Sequence, residues 1–282
     1  MSRNYASYEK RVLRVLKYIH ENPAGDLSLD ALADIALMSR FHWHRVFQAM
    51  TGETCAQAVR RIRLYRASSW LLGTDKTVAE IATAVGYPNI QSFTRAFNES
   101  FGVPPATFRK NGNYGIPRKQ KSKGNFTMFT VQTETMPERR LAALLHKGSY
   151  NCLDKSFAKL AHTASSENLW PRTAGMVGVH YSDPNVVNED DLRAHAGLVI
   201  TDQEPVPQSL EEVVLPAGPC AVLNYKGPYT AIKVAYDYLY GDWLPNSGKE
   251  PADLPPYELY LNNPIETEES ELLTNIVVPL QV

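Results

Sequence analysis

Cysteine is scarce in this chain. Three residues (Cys55, Cys152 and Cys220) are spread over 282 positions, an odd and widely spaced set. It offers neither a disulfide framework nor the spacing of a metal site, and implies a reducing cytoplasm. Long apolar runs are also missing: no stretch of 18 occurs, so no membrane span is expected. The opening MSRNYASYEKR lacks the apolar core of a signal peptide. The seven histidines are scattered. The back half has no His-x-x-x-His or Cys-x-x-Cys, and no glycine-rich phosphate loop appears. No metal and no cofactor are therefore expected.

Net charge is nearly absent as well, at −1, but its distribution is uneven. Residues 1–124 hold 19 Lys and Arg against 9 Asp and Glu, a net of +10; residues 125–282 hold 10 against 21, a net of −11. A basic front half suits phosphates, and an acidic back half suits a different partner.

The front half repeats itself. LSLDALADIALMSRFHWHRVFQAMTG (27–52) aligns with KTVAEIATAVGYPNIQSFTRAFNESFG (76–102). Arg45 meets Arg95, Phe47 meets Phe97 and Gly52 meets Gly102 at an offset of 50; Leu29, Leu32 and Ala33 meet Val78, Ile81 and Ala82 at 49. Each unit reads as helix, tight turn, helix. Ser28 and Thr77 are expected to cap the first helices, Ser39 and Asn89 the second, and Gly86 to supply a permissive turn backbone. In the second helices Phe41, Val46 and Phe47 alternate with His42, His44 and Arg45. Ile90, Phe93 and Phe97 likewise alternate with Gln91, Ser92, Thr94 and Arg95, so one face packs inward and the other offers donors. Between the units, AQAVRRIRLYRASSWLLGTD reads as one long helix with Arg60, Arg61, Arg63 and Arg66 clustered. YEKRVLRVLKYIHENP reads as a leading helix ended by Pro23.

Over residues 5–112 these segments, with FGVPPATFRK closing the second unit, resemble the DNA-binding domain of the AraC/XylS family. The resemblance implies that one monomer places two recognition helices in successive major grooves of double-stranded DNA. Base-reading candidates are then Arg40, Phe41, His44 and Arg45 in the first unit, and Gln91, Ser92 and Arg95 in the second. His44 and Ile90 stand where the family often carries glutamine, so no operator sequence follows. RNA polymerase is an expected further partner. Residues 113–125, rich in glycine and lysine, read as a basic flexible linker.

The back half carries a second repeat. LAALLHKGSY (141–150) aligns with CAVLNYKGPY (220–229) at an offset of 79, which also takes Phe157 to Tyr236, Leu160 to Leu239 and Tyr181 to Tyr260. Strands are expected at FTMFTVQTET, LAALLHK, MVGVHYS, HAGLVIT, LEEVVLP, CAVLNYK, YELYLN and ELLTNIVVPL, with helices at DKSFAKLAHTASSE and TAIKVAYDYLYGDWL. That is an α+β domain with pseudo-twofold symmetry and a groove between its halves. Tyr225, Tyr229, Tyr236, Tyr238, Tyr240, Trp243, Tyr257 and Tyr260 crowd the second half, and Glu258 lies among them on an otherwise apolar strand. An acid among aromatic faces suits a cationic or amphipathic ligand; rim and core packing, with a solvated Glu258, would give the same sequence.

Residues 126–282 resemble the GyrI-like effector-binding domain, on the paired KGSY and KGPY turns and the late PPYELYLNNP. The resemblance implies a small-molecule effector pocket with a central acid, for which Glu258 is the matching position. Tyr229, Trp243, Tyr260, Tyr181 and Trp170 would line it. The expected architecture is multidomain: an all-α domain with two helix-turn-helix units (1–112), the linker (113–125), and the α+β GyrI-like domain (126–282). Two alternatives stand beside a sensor. Some GyrI-like proteins are hydrolases, and Glu258 with Tyr229 or Trp243 would then activate water. Others bind a protein target.

Overall fold

The computed structural model describes residues 3–111, 129–184, 187–201, 203 and 205–282. The whole of the expected linker at 113–125 lies outside the described residues.

Helices come first: α1 (Arg3–Glu21), α2 (Leu29–Ala36), α3 (Trp43–Thr51), α4 (Cys55–Gly73), α5 (Val78–Ala84), α6 (Ile90–Phe101) and α7 (Pro105–Asn111). Their starts follow from local chemistry. Ser28 accepts from Ala31 N, Asn89 from Ser92 N, and Thr77 forms a reciprocal capping box with Glu80. Thr54 and Gln57 do the same for α4. Gly52 and Gly102 close α3 and α6 in the left-handed conformation, at the same place in each repeat. Gly86, at φ +83, sits where a Cβ would lie 2.6 Å from the Pro23 carbonyl. Two cores result: Leu32, Ala33, Trp43 and Phe47 belong to the first unit, and Ile81, Ala82, Phe93 and Phe97 to the second.

One expected cap is absent. α3 begins at Trp43 with no side-chain cap. The Ser39 hydroxyl accepts from Phe41 N at 3.2 Å and donates to Asp253 Oδ1 at 2.8 Å. It serves a turn before the helix and a contact to the other half of the chain.

That other half is built from β1 (Val131–Met136), β2 (Arg139–Lys147), α8 (Leu153–Ser166), β3 (Thr173–His180), β4 (Arg193–Ile200), β5 (Glu211–Leu215), β6 (Gly218–Lys226), α9 (Lys233–Tyr238), α10 (Leu244–Ser247), β7 (Tyr257–Tyr260) and β8 (Leu273–Pro279). A π-helical turn, Leu239–Trp243, joins α9 to α10 without a break. The strands form one antiparallel sheet in the order β1-β6-β8-β7-β3-β4-β2-β5. This order is symmetric about the β7–β3 pair, and each half lends its first strand to the other: β1 pairs with β6, and β5 with β2. Helices α8 and α9 cover one face over Ala142, Ala196 and Leu198 in one half and Leu223, Ile276 and Val278 in the other.

The repeat offset is not constant. The turns starting at Tyr150 and Tyr229 differ by 79 positions, but the turns Glu189–Asp191 and Glu269–Glu271, and the starts of β4 and β8, differ by 80. One extra residue reverses which face a strand residue takes. The counterpart of Tyr260 is therefore His180, and Tyr181 points the other way.

Candidate functional site

Two sites were expected in separate halves of the chain, and the structure brings them together at one interface. Glu258 lies at the centre of the sheet, opposite Gly178 on β3, on the face covered by α8 and α9. Its carboxylate is buried. Tyr236 donates to Oε1 at 2.9 Å, Tyr260 donates to Oε2 at 2.9 Å, and His180 Nε2 stands 3.4 Å from Oε1. Burial works against the charge, but His180 and the two phenol donors outweigh it and hold Glu258 below the usual carboxylate range. Tyr260 is boxed by the rings of Phe157 and Tyr229, with centroids 5.3 and 5.4 Å away. It lies flat across β3 because residue 178 is glycine: a Cβ there would be 2.6 Å from the Tyr260 hydroxyl.

The other lining candidates lie elsewhere. Tyr181 bonds His195 Nδ1 at 2.8 Å and packs with Val177, Val179 and Tyr257 on the opposite face, as the register shift requires. Trp170 follows α8, exposed, with its indole N–H on Ser165. Trp243, half-buried on the π turn, packs into the apolar cluster around Tyr240 and Leu244. Tyr236, which the sequence places in the aromatic crowd but not among the lining candidates, completes the site with His180 and Gly178. A signal for Tyr236 was present: it stands four residues before Tyr240, on the same helical face.

The DNA-reading candidates divide just as sharply. In the second unit Gln91 and Arg95 are exposed on α6, and Ser92 is half-buried. Arg95 pairs with Glu99 at 3.1 Å. Ser92, Arg95 and Glu99 line a groove of about 660 Å³ with Tyr87 on the loop before α6 and Arg60 and Arg63 of α4. In the first unit Arg40 is exposed and stacked on the half-buried Phe41, but His44 and Arg45 are buried, at 5% and 9% exposure. The expected solvent-facing donors of α3 thus face protein. The effector half covers them.

This contact has defined chemistry. Positions 42, 45, 46 and 49 form one stripe on and just before α3, at helical spacing. Val46 joins the cluster of Ala235, Tyr240 and Leu244, and Ala49 packs against it. His42 Nε2 lies 3.0 Å from the Leu254 carbonyl and Nδ1 lies 2.7 Å from the Tyr240 hydroxyl. A carbonyl can only accept, so Nε2 carries the hydrogen and Nδ1 accepts from Tyr240. Burial, with Arg45 beside it, pushes His42 down to about 3. His44 is likewise pushed down by burial and Arg45, against the pull of Asp183 at 3.3 Å. The Arg45 guanidinium donates to the Phe41 carbonyl and, at 3.2 Å, to the Ser182 carbonyl. It also sits 5.9 Å from the Tyr236 ring centroid and 5.8 Å from that of Tyr240, two rings that are nearly parallel. Outside the stripe, Arg11 grips Glu250 through two bonds of 2.9 and 3.0 Å, and Tyr8 donates to the Lys249 carbonyl.

Removing a guanidinium from water costs several kcal/mol. Desolvated cation–π contacts return about 2 kcal/mol each, and bonds from a charged donor about 1.5–3 each. The two sides are of similar size, so Arg45 specifies where α3 docks more than it strengthens the docking.

Among the described residues no helix is long and apolar enough to cross a membrane, and no three His, Cys, Asp or Glu side chains are grouped as metal ligands.

Comparison with known proteins accounts for both halves. Residues 129–281 match the model of the GyrI-like small molecule binding domain, and residues 32–111 that of a helix-turn-helix domain. The transcriptional regulator Rob of Salmonella typhimurium (strain LT2) is 25% identical over 232 residues, covering 78% of this chain and 79% of Rob. The bifunctional transcriptional activator/DNA repair enzyme AdaA of Bacillus subtilis (strain 168) is 34% identical over 96 residues, 34% of this chain. The alignment spans 46% of AdaA, less than half of that relative. The crystal structure of the EcmrR C-terminal domain is 18% identical, with a TM-score of 0.45 over 55% of this chain and 99% of that domain. The chain belongs to the GyrI-like family, its small molecule binding domain preceded by an AraC-type helix-turn-helix domain, and this is the make-up of a DNA-binding transcription regulator.

Proposed function

We propose that the chain is an effector-responsive regulator that reads double-stranded DNA as a monomer and senses a small cationic or amphipathic molecule at Glu258. The DNA half (1–112) engages two successive major-groove segments, with Arg40, Phe41, His44 and Arg45 facing one and Gln91, Ser92 and Arg95 the other. The GyrI-like half (126–282) supplies the pocket. Contact with RNA polymerase and a cytoplasmic site of action belong to the same reading, supported by the domain pairing shared with Rob.

The observation that carries the effector reading is Glu258: a carboxylate held charged while buried under tyrosine rings. Both oxygens already accept phenol hydrogens, which favours holding a cation over activating water and so favours a sensor over a hydrolase. The test is calorimetric titration of the full chain with phenylguanidine and its neutral analogue phenylurea. Glu258→Gln should weaken phenylguanidine at least about tenfold, a loss of about 1.4 kcal/mol, and leave phenylurea unchanged. Equal loss for both compounds defeats charge recognition.

A further inference from the structure

The two helix-turn-helix units are repeats, yet one stripe has two fates. Positions 42, 45, 46 and 49 on α3 correspond, at the offset of 50, to Ser92, Arg95, Ala96 and Glu99 on α6. Those four line an open groove. Their counterparts are covered by the GyrI-like half: His42, Arg45 and Val46 are buried, and Ala49 packs against the Tyr240 cluster. The α3 helix is thereby enclosed on two sides, since Trp43 and Phe47 fill the core of its own unit. A helix in that position cannot enter a DNA groove.

What holds it is the aromatic surround of Glu258. Arg45 lies over Tyr236 and Tyr240, and the Tyr236 hydroxyl is the same one that donates to Glu258 Oε1. The Ser182 carbonyl that Arg45 reaches also accepts from Tyr150, whose ring meets His180, the partner of Glu258. One aromatic ring thus separates the arginine of a recognition helix from the central acid. A flat, delocalised monovalent cation, supplied by the chain itself, thus already lies against the aromatic ring that bonds Glu258.

We infer that Arg45 is a built-in competitor for the effector site, so that a planar cation of guanidinium or amidinium type displaces α3 and frees the first recognition helix for DNA. This rests on the reading of Glu258 as a cation pocket and adds its ligand shape and its regulation. In the docked chain only α6 is presented, and DNA is held at one groove segment. With the planar cation bound, both helices are available and a two-segment site is held. By linkage, DNA that engages α3 must raise affinity for the cation by the same factor.

The test uses the full chain and two readouts. In calorimetry with phenylguanidine, Arg45→Gln should bind at least tenfold more tightly than the wild type, because the resident competitor is gone. In hydrogen exchange, saturating phenylguanidine should speed the amides of residues 43–51 at least tenfold in the wild type and leave those of 90–101 unchanged. The same α6 amides, measured in Arg45→Gln and protected as in the wild type, show that the variant remains folded. Equal affinity of the two chains, with α3 still protected at saturation, overturns the competition and leaves the cation pocket standing. Binding to neither chain overturns the pocket and the competition together.

Discussion

The guanidinium of Arg45 lies 5.9 Å from the centre of the Tyr236 ring, and the hydroxyl of that ring donates to Glu258 at 2.9 Å. A side chain on α3 and the buried acid at the centre of the sheet therefore share one intermediary. Loss of the Tyr236 hydroxyl alone, in Tyr236→Phe, should lower affinity for phenylguanidine about tenfold, since it removes a bond to a charged acceptor worth about 1.5–3 kcal/mol. The Arg45 contact to the ring face stays. Unchanged affinity in a fluorescence or calorimetric titration would show that Glu258 does not depend on this donor.

Arg95 is solvated and already on the open stripe of α6. Arg95→Ala should cost about 1–3 kcal/mol in specific DNA binding whether or not effector is present. A quantitative footprint titration checks this. The Arg45→Ala change should lower affinity only under conditions that free α3; an equal loss in both conditions would mean α3 reads DNA while docked.

Docking of α3 should weaken in acid. His42 is held near 3 in the folded chain against an ordinary value near 6.5, so the released form binds a proton that the docked form refuses. The contribution is fully present above pH 6.5 and is lost as pH falls from there toward 3, at up to about 1.4 kcal/mol per pH unit. His44 shifts the same way and steepens the loss. Small-angle scattering should show the chain extending between pH 7 and pH 5, and His42→Gln should flatten the response. A radius of gyration that stays constant for the wild type contradicts it.

Gly178→Ala would place a Cβ 2.6 Å from the Tyr260 hydroxyl and 3.1 Å from His180 Nε2. Tyr260 must leave its bond to Glu258, and affinity for phenylguanidine should fall at least about tenfold. The helical half lies outside this contact, so the exchange protection of α6 should persist. Retained affinity would mean that Tyr260 is not needed in its present pose.

Thr77→Ala removes both hydroxyl contacts of the α5 capping box and should destabilise the second unit by about 1 kcal/mol. Denaturant unfolding followed by α6 exchange measures it; no shift would place the helix start under tertiary control instead.

Local chemistry was legible and long-range contacts were not. Ser28, Thr77 and Asn89 act within three residues of themselves, and their roles follow from the sequence. Ser39 looked the same, but its hydroxyl is drawn to Asp253, 214 positions away. Tyr181 was aligned with Tyr260 by an offset taken from the first part of the repeat. The second copy carries one extra residue before β7 and β8, which changes the face, and no composition or periodicity marks such an insertion. The largest departure is α3. His42, His44 and Arg45 are polar, so their pattern predicts a wet face; they are buried because Tyr236, Tyr240, Asp183 and Leu254 offer partners from the other half.

The exchange of β1 and β5 between the two halves of the sheet sets an order of events during synthesis. The half β3-β4-β2-β5 is complete once residue 215 has been made, but Val131 pairs with Leu223 and β6 in turn with β8, so the half β1-β6-β8-β7 waits for residues near 279. Such distant pairings fold slowly and together. The cores of the two helical units are built from residues within the first 111 and can assemble while the ribosome is still at work. Each new molecule therefore passes through an interval in which α3 and α6 exist and the surface that covers α3 does not, and the length of that interval is governed by how fast β1, β6, β8 and β7 can pair.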